Sequence, residues 1–429
     1  MTHNKGPELI RGIRRWDLVA FIINLIIGAG IFGLPSKVFL LAGSYSILAY
    51  IGCSILMGLI MLCFAEVSSR FSQTGGPYLY ALRAFGSFIG YEVGWLMWLT
   101  RVTAFAAVVN LLVTYLAFLW PAATSSTWKP ILITGIVVIL TIINLIGIRK
   151  SAAVNNFFAI GKLIPIILFV VIGLFFIDPQ KISFESSPGF HSLSNAMMIL
   201  VFAFTGFEIS TINAGEVRDP RRNFPFSMLI VLLFVVIIYI LVQIICIGTL
   251  PELAGSESPL ADAAYHFVGP IGALVITLGA MLSMTGSLNA TMLGCTRLPF
   301  ALAEQKQAPE ILQVTHPKFK TPWLSIFISA AAILTVSLTY SFMSAVTMNV
   351  IIKLITYGIV CISLPVLRKN KDAKPALYNL RGGIIVAALA FIICIWLLSR
   401  STANEIIQLV IAISVGFVLY MTNRLKRTK

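Results

Sequence analysis

The chain has 429 residues, 58% of them hydrophobic and only 11% charged, against a charged share of roughly 25% in soluble domains. That balance excludes an ordinary water-soluble protein. The formal net charge of +15 would suit a nucleic-acid partner if the basic residues were clustered, but they punctuate apolar runs, so membrane lipid and not nucleic acid is the expected surroundings.

In chain order, apolar runs occupy residues 17–34, 43–65, 88–120, 129–148, 157–177, 193–214, 225–249, 270–303, 322–340, 343–366, 382–399 and 403–423. A helix rising 1.5 Å per residue needs about 20 residues to cross a hydrocarbon core of ~30 Å. The runs are continuously apolar, whereas barrel strands alternate, so helices are the spanning solution. The expectation is an all-α membrane protein of 12 transmembrane helices forming a single transmembrane domain over 1–429. With the N-terminus placed in the cytoplasm, 24 of the 31 Lys and Arg fall in inner segments. The outer loops hold Lys37, Lys129, Lys181 and Arg400, and Arg101, Lys162 and Lys353 lie within spans. This bias predicts a multi-pass protein of the cell (inner or plasma) membrane with both termini cytoplasmic.

The first span carries three glycines in six positions, Gly28, Gly30 and Gly33. Two readings are open: an unwound turn whose freed amides favour an anion, or a small-residue face for close helix packing. The sixth span matches it, with Gly206 beside Glu208 and Gly215 beyond. An ionisable group at depth is costly and points to function. Breaks five helices apart suggest an inverted repeat with its site between the halves: 1–177 the first repeat, 193–366 the second, 382–423 two additional helices. On the unwound reading, valine at Gly28 or Gly30 is expected to abolish binding and spare expression.

GAGIF at 28–32, FAFTGFE at 202–208, AGEVRDPRRNFP at 214–225, and GSLNATMLGCTR at 286–297 followed by FALAEQKQAP at 300–309 resemble the amino acid, polyamine and organocation (APC) superfamily. The similarity runs from about residue 16 to 370, with four motifs in order and in the right helices. The resemblance implies a LeuT-like 5+5 inverted repeat plus two C-terminal helices. It implies that a substrate carboxylate meets the backbone of Gly28, Ala29 and Gly30, and that the amine meets the carbonyls of Ile26, Phe202, Ala203 and Thr205. Phe202 stands at the family's aromatic gate position; packing in the core or against lipid is the plainer alternative for it.

Lys162 matches a lysine that sodium-independent members carry where sodium-dependent relatives bind the ion. With Ser287 as a neighbour it is a candidate proton-coupling site, or else it snorkels to the interface. Glu208 is read as a second proton site, a partner for a basic span residue, or an acceptor that holds the broken helix. Arg101 and Lys353 depart from the small or neutral residues of the family pattern. Arg101, about 13 residues into its span, either faces the pocket, favouring acidic or neutral cargo over dibasic cargo, or pairs with Glu208. Lys353 either pairs with another helix or lines the cytoplasmic exit.

The function expected is secondary active transport of amino acids by alternating access, proton-coupled and sodium-independent. The alternatives are an amino acid or polyamine exchanger and, in another class, a transport-inactive amino acid sensor. Sensors usually add a long soluble tail, and here 1–16 and 424–429 flank the spans. The six cysteines lie in or at the edge of spans without CxxC spacing, and His3, His191, His266 and His316 fall in tails or loops. No metal, cofactor or enzymatic centre is expected, and the basic N-terminal stretch has no small-residue cleavage site of a removable signal peptide.

Overall fold

A computed structural model of the chain describes residues 12–71, 75–147, 152–184, 187–212, 217–370 and 375–427. Residues 214–216 of the loop motif lie outside these, as do His3, Lys5, Arg11, Arg149, Lys150, Lys371, Lys374 and Lys429 of the topology reading. The elements are α1 (Arg15–Ile26), α2 (Ala29–Gly33), α3 (Pro35–Ala42), α4 (Ser46–Ser68), α5 (Pro77–Phe85) and α6 (Ser87–Leu116). They continue with α7 (Trp128–Ile146), α8 (Ala152–Gly173), α9 (Phe190–Phe204), α10 (Phe207–Ile212), α11 (Pro220–Thr249) and α12 (Pro259–Val268). The last are α13 (Pro270–Glu304), α14 (Trp323–Thr339), α15 (Phe342–Lys369), α16 (Gly383–Leu398) and α17 (Ala403–Arg427). Among the described residues the only β pairing is an isolated bridge between Ile13 and Val217.

Each apolar run is helical. Among the described residues, eight helical stretches are long and apolar enough to cross a membrane, and Gly161–Phe176, Trp323–Thr339 and Gly383–Leu398 are shorter apolar helices. One boundary differs from the sequence reading, and two short helices are added to it. The first span does not stop at 34: Pro35 sits at the first position of α3, where its missing N–H costs nothing, and the chain stays helical to Ala42. Helices α5 and α12, of 9 and 10 residues, were not expected, because only runs long enough to cross a bilayer were sought.

Large apolar side chains cover the outer surface as well as filling the core, and many buried polar groups are bonded inside, as in a protein whose solvent is lipid. Ile139 and Ile142 on α7, Leu233 and Ile237 on α11, Ile385 and Ile392 on α16, and Val410 and Val418 on α17 are exposed. Helix α6 lies at the centre, 83% buried over its most apolar stretch against 11% for α17. Side-chain amides fasten its neighbours. Asn349 on α15 donates to the Thr100 carbonyl (2.6 Å) and the Thr103 hydroxyl (3.0 Å). Asn110 on α6 donates to Ser337 O (3.0 Å) at the end of α14.

At one end of the bundle Glu66 is fully buried and joins three segments. Its carboxylate takes Arg368 Nε (2.8 Å) and Nη2 (2.6 Å) in a two-pronged pair, Arg70 Nη2 (3.3 Å), and the Leu380 amide (2.9 Å). The ends of α4 and α15 and the approach to α16 are thereby clamped. Replacing Glu66 by Leu leaves two guanidinium groups without their shared anion, so stability should fall by about 3 kcal/mol, read as a lower melting temperature in detergent. An unchanged melting temperature would remove the clamp from the forces that hold these ends.

Candidate functional site

Two interruptions face each other in the middle of the bundle. In the first span α1 ends at Ile26, Ile27 is extended (φ −71°, ψ 102°), and helix resumes at Ala29. Leu34 keeps right-handed helical angles (φ −92°, ψ −22°), so α2 runs into α3 as one half-helix. In the sixth span α9 ends at Phe204, Thr205 is extended (φ −76°, ψ 160°), and Gly206 has φ +118° before α10 begins. Gly206 is required twice over: its φ is left-handed, and a Cβ there would stand 2.5 Å from the Leu25 carbonyl oxygen. The two breaks therefore touch backbone to backbone.

Each break frees polar groups that must find partners. Lys162, 4% exposed, reaches across from α8 and donates to the carbonyls of Asn24 (2.5 Å) and Ile27 (2.6 Å), capping the negative end of α1. It does not snorkel. Tyr239 on α11 donates to Ala203 O (2.9 Å) and lies 3.4 Å from Ile26 O. The Thr205 hydroxyl donates to Phe202 O (2.8 Å). The Gly206 amide donates to Glu208 Oε2 (2.9 Å).

A cavity of ≈ 130 Å³ lies where the breaks meet. A water-sized group needs roughly 10–15 Å³ on this measure, so the cavity has room for a solute of amino-acid size. Ile26, Gly28, Ala29, Gly30, Phe202, Thr205, Arg101, Glu208 and Ser287 all line it. Ala203 does not. Its carbonyl is taken by Tyr239, and its backbone packs on Gly30, where a Cβ would meet Ala203 Cα at 2.7 Å. Lys162 and Ser287 share an adjoining cavity.

The charges pair otherwise than through Arg101. Glu208, buried, forms an ion pair with Lys353 and accepts from Tyr357 OH (3.0 Å) as well as from Gly206. Lys353 thus belongs to α10 through Glu208. The other ion pairs among the described residues leave Arg101 aside; its guanidinium lies against Gly294 on α13. Tyr239 and Tyr357 were missed, although each leaves a trace: a phenol alone in an apolar run, and Tyr357 one helical turn after Lys353. Among the described residues no three His, Cys, Asp or Glu gather where they could hold a metal ion, and the six cysteines are free and buried.

Comparison with known proteins finds a family for the chain. A family model described as amino acid permease matches residues 13–421. The chain is 26% identical to the branched-chain amino acid permease BcaP of Bacillus subtilis (strain 168), over 98% of this chain and 95% of that protein. It is 25% identical to the methylthioribose transporter of the same organism, over 98% and 94%. It is also 28% identical to its serine/threonine exchanger SteT, over 88% of each.

The glycines separate. A Cβ on Gly28 meets nothing closer than 3.9 Å, whereas one on Gly30 collides with backbone. This corrects the expectation that valine at either position would spare expression. Gly30→Ala should cost about 1–3 kcal/mol through overpacking and lower the melting temperature. Gly28→Ala should keep that temperature and weaken ligand binding at least tenfold; unchanged binding would move the ligand away from α2. Lys353→Met alone should destabilise by about 3–5 kcal/mol, because it strands a buried carboxylate. Lys353→Met with Glu208→Gln should recover most of that loss in thermal unfolding. Recovery by Arg101→Ala instead would contradict the pairing.

Proposed function

The chain belongs to the amino acid permease family, and we propose that it is a secondary active transporter carrying amino acids across the cell membrane by alternating access, coupled to protons and independent of sodium. Members of this family are transporters and not enzymes, and a helical, lipid-facing fold is what such a role needs. The observation that carries the reading is the pair of breaks at one cavity. The start of the α2–α3 half-helix offers freed amides and a positive dipole end, while the ends of α1 and α9 offer carbonyls. A zwitterion is complementary to that pattern.

In this reading the α-carboxylate sits on the amides of Gly28, Ala29 and Gly30. The ammonium lies toward the carbonyls of Ile26, Phe202 and Thr205, and Phe202 closes over it. Ala203 positions α2 by packing. Lys162 places its ammonium on carbonyl oxygens of the α1 break, where a sodium ion would need the same oxygens, and this supports sodium independence. Loss of its proton would keep two N–H donors but remove the charge that strengthens those bonds, loosening the hold on the carbonyls and tying protonation to the shape of the break. Glu208 is the second candidate for proton exchange, and Ser287 borders both cavities.

The same reading takes the chain through the membrane 12 times as five-plus-five inverted repeats and two further helices, with both termini cytoplasmic. Its support is the spacing of the two breaks and the gathering of basic residues on one side. Exchange of one amino acid for another is the second reading, favoured by the similarity to a serine/threonine exchanger.

Purified protein in liposomes tests this. Uptake of labelled neutral amino acids should rise with an inward proton gradient and persist when choline replaces sodium, and Lys162→Ala should abolish the gradient effect. Uptake only against preloaded substrate would establish exchange instead. Sodium-dependent accumulation would sink the role given to Lys162, and binding without any flux would identify a sensor. Arginine and lysine should be excluded by Arg101, with Arg101→Ala admitting them; wild-type arginine uptake would overturn that exclusion.

A further inference from the structure

Next to the cavity at the breaks lies a second one of ≈ 160 Å³. The two share Leu25, Arg101, Ile209, Ser287 and Thr291, so Arg101 stands in the partition between them. The rest of the second cavity's lining includes the polar residues Asn24, Lys162, Ser283 and Asn289, and no Asp or Glu.

Two cations therefore border this space without an anion. Arg101 has no ion pair or hydrogen bond among the described residues. Gly294 gives its guanidinium room, since a Cβ there would lie 2.6 Å from Nη1. Lys162 spends two of its three N–H groups on Asn24 and Ile27, which leaves one donor over. Ser283, 2% exposed, has a buried Oγ with no partner. Glu208, the acidic residue of the neighbouring cavity, is held by Lys353, Tyr357 and the Gly206 amide. Lys162 is buried and Arg101 partly so; positive charge withdrawn from water without a counter-charge is unfavourable, and unmet donors facing one space favour a ligand that only accepts.

We infer that the second cavity is an anion site, in which one negative charge lies between Arg101 and Lys162 with the hydroxyls of Ser283 and Ser287 donating to it. Two sources have this chemistry: a halide such as chloride, or a second carboxylate on the cargo itself. The first source stands without the transport reading, and the second rests on it.

Thermal unfolding of the purified protein in detergent distinguishes them. Chloride is titrated into sodium gluconate at constant ionic strength, and L-glutamate, L-aspartate, L-serine and L-leucine are titrated separately in gluconate. A saturable rise in melting temperature with chloride, absent in Arg101→Gln, identifies a halide site. A rise with glutamate or aspartate in excess of that with serine and leucine, the excess absent in Arg101→Gln, identifies the cargo carboxylate. If Arg101→Gln does not fold, Ser283→Ala serves in its place and should raise the half-saturating anion concentration at least threefold. The inference is overturned if chloride gives no shift and the acidic amino acids give none beyond that of serine and leucine, or if the variant responds as wild type does. Failure of the transport reading shows separately, as absence of flux of any amino acid in liposomes.

Discussion

A polypeptide that breaks its helices inside a lipid-facing bundle must satisfy the freed backbone groups from elsewhere in the protein, and the architecture around the two breaks follows from that constraint. Each unmet group costs about 1–3 kcal/mol, a large share of a total stability of about 5–15 kcal/mol. The partners come from helices far away in sequence. Lys162 on α8 serves the end of α1, Tyr239 on α11 serves the end of α9, and Glu208 turns back on the amide of Gly206. The unwound turns are thus held by neighbouring helices, and their geometry is only as rigid as the packing of α8 and α11.

The same economy governs the charges. Glu208 is shared among an ammonium, a phenol and an amide, and Glu66 among two guanidinium groups and an amide. Each carboxylate joins segments distant in the chain, α10 to α15 in one case and α4 to α15 in the other. Helix α15 is consequently fixed at two levels, and Asn349, one turn before Lys353, fastens α6 to it. Arg101 stands apart from these networks, and its isolation is as informative as a bond: a guanidinium at that depth is stable only where space, water or a ligand meets it.

Much of this was legible in the sequence. The runs report helices because bilayer thickness sets their length, and the breaks report themselves because glycines and a carboxylate are out of place in an apolar span. Depth is read by counting residues. Azimuth is not. A helix with apolar groups all round has no amphipathic face to show which neighbour a side chain meets, and for that reason Glu208 could be assigned to Arg101 or Lys353 only by chance. The distinction between Gly28 and Gly30 was hidden for a similar cause: whether a missing Cβ serves a ligand or a neighbouring backbone depends on what lies across the gap. Helices α5 and α12 are too short to register as spans, and nothing in their length alone separates them from connecting loop.

The contact of Gly206 with Leu25 has a mechanical consequence. Side chains yield by changing rotamer, but two main chains pressed together have no such slack, so a tilt of α1 about its break is delivered at once to the start of α10. The two interrupted helices then behave as a single lever pivoted at the cavity. A ligand lodged between them would be felt by both arms together, without any intervening relay of side chains.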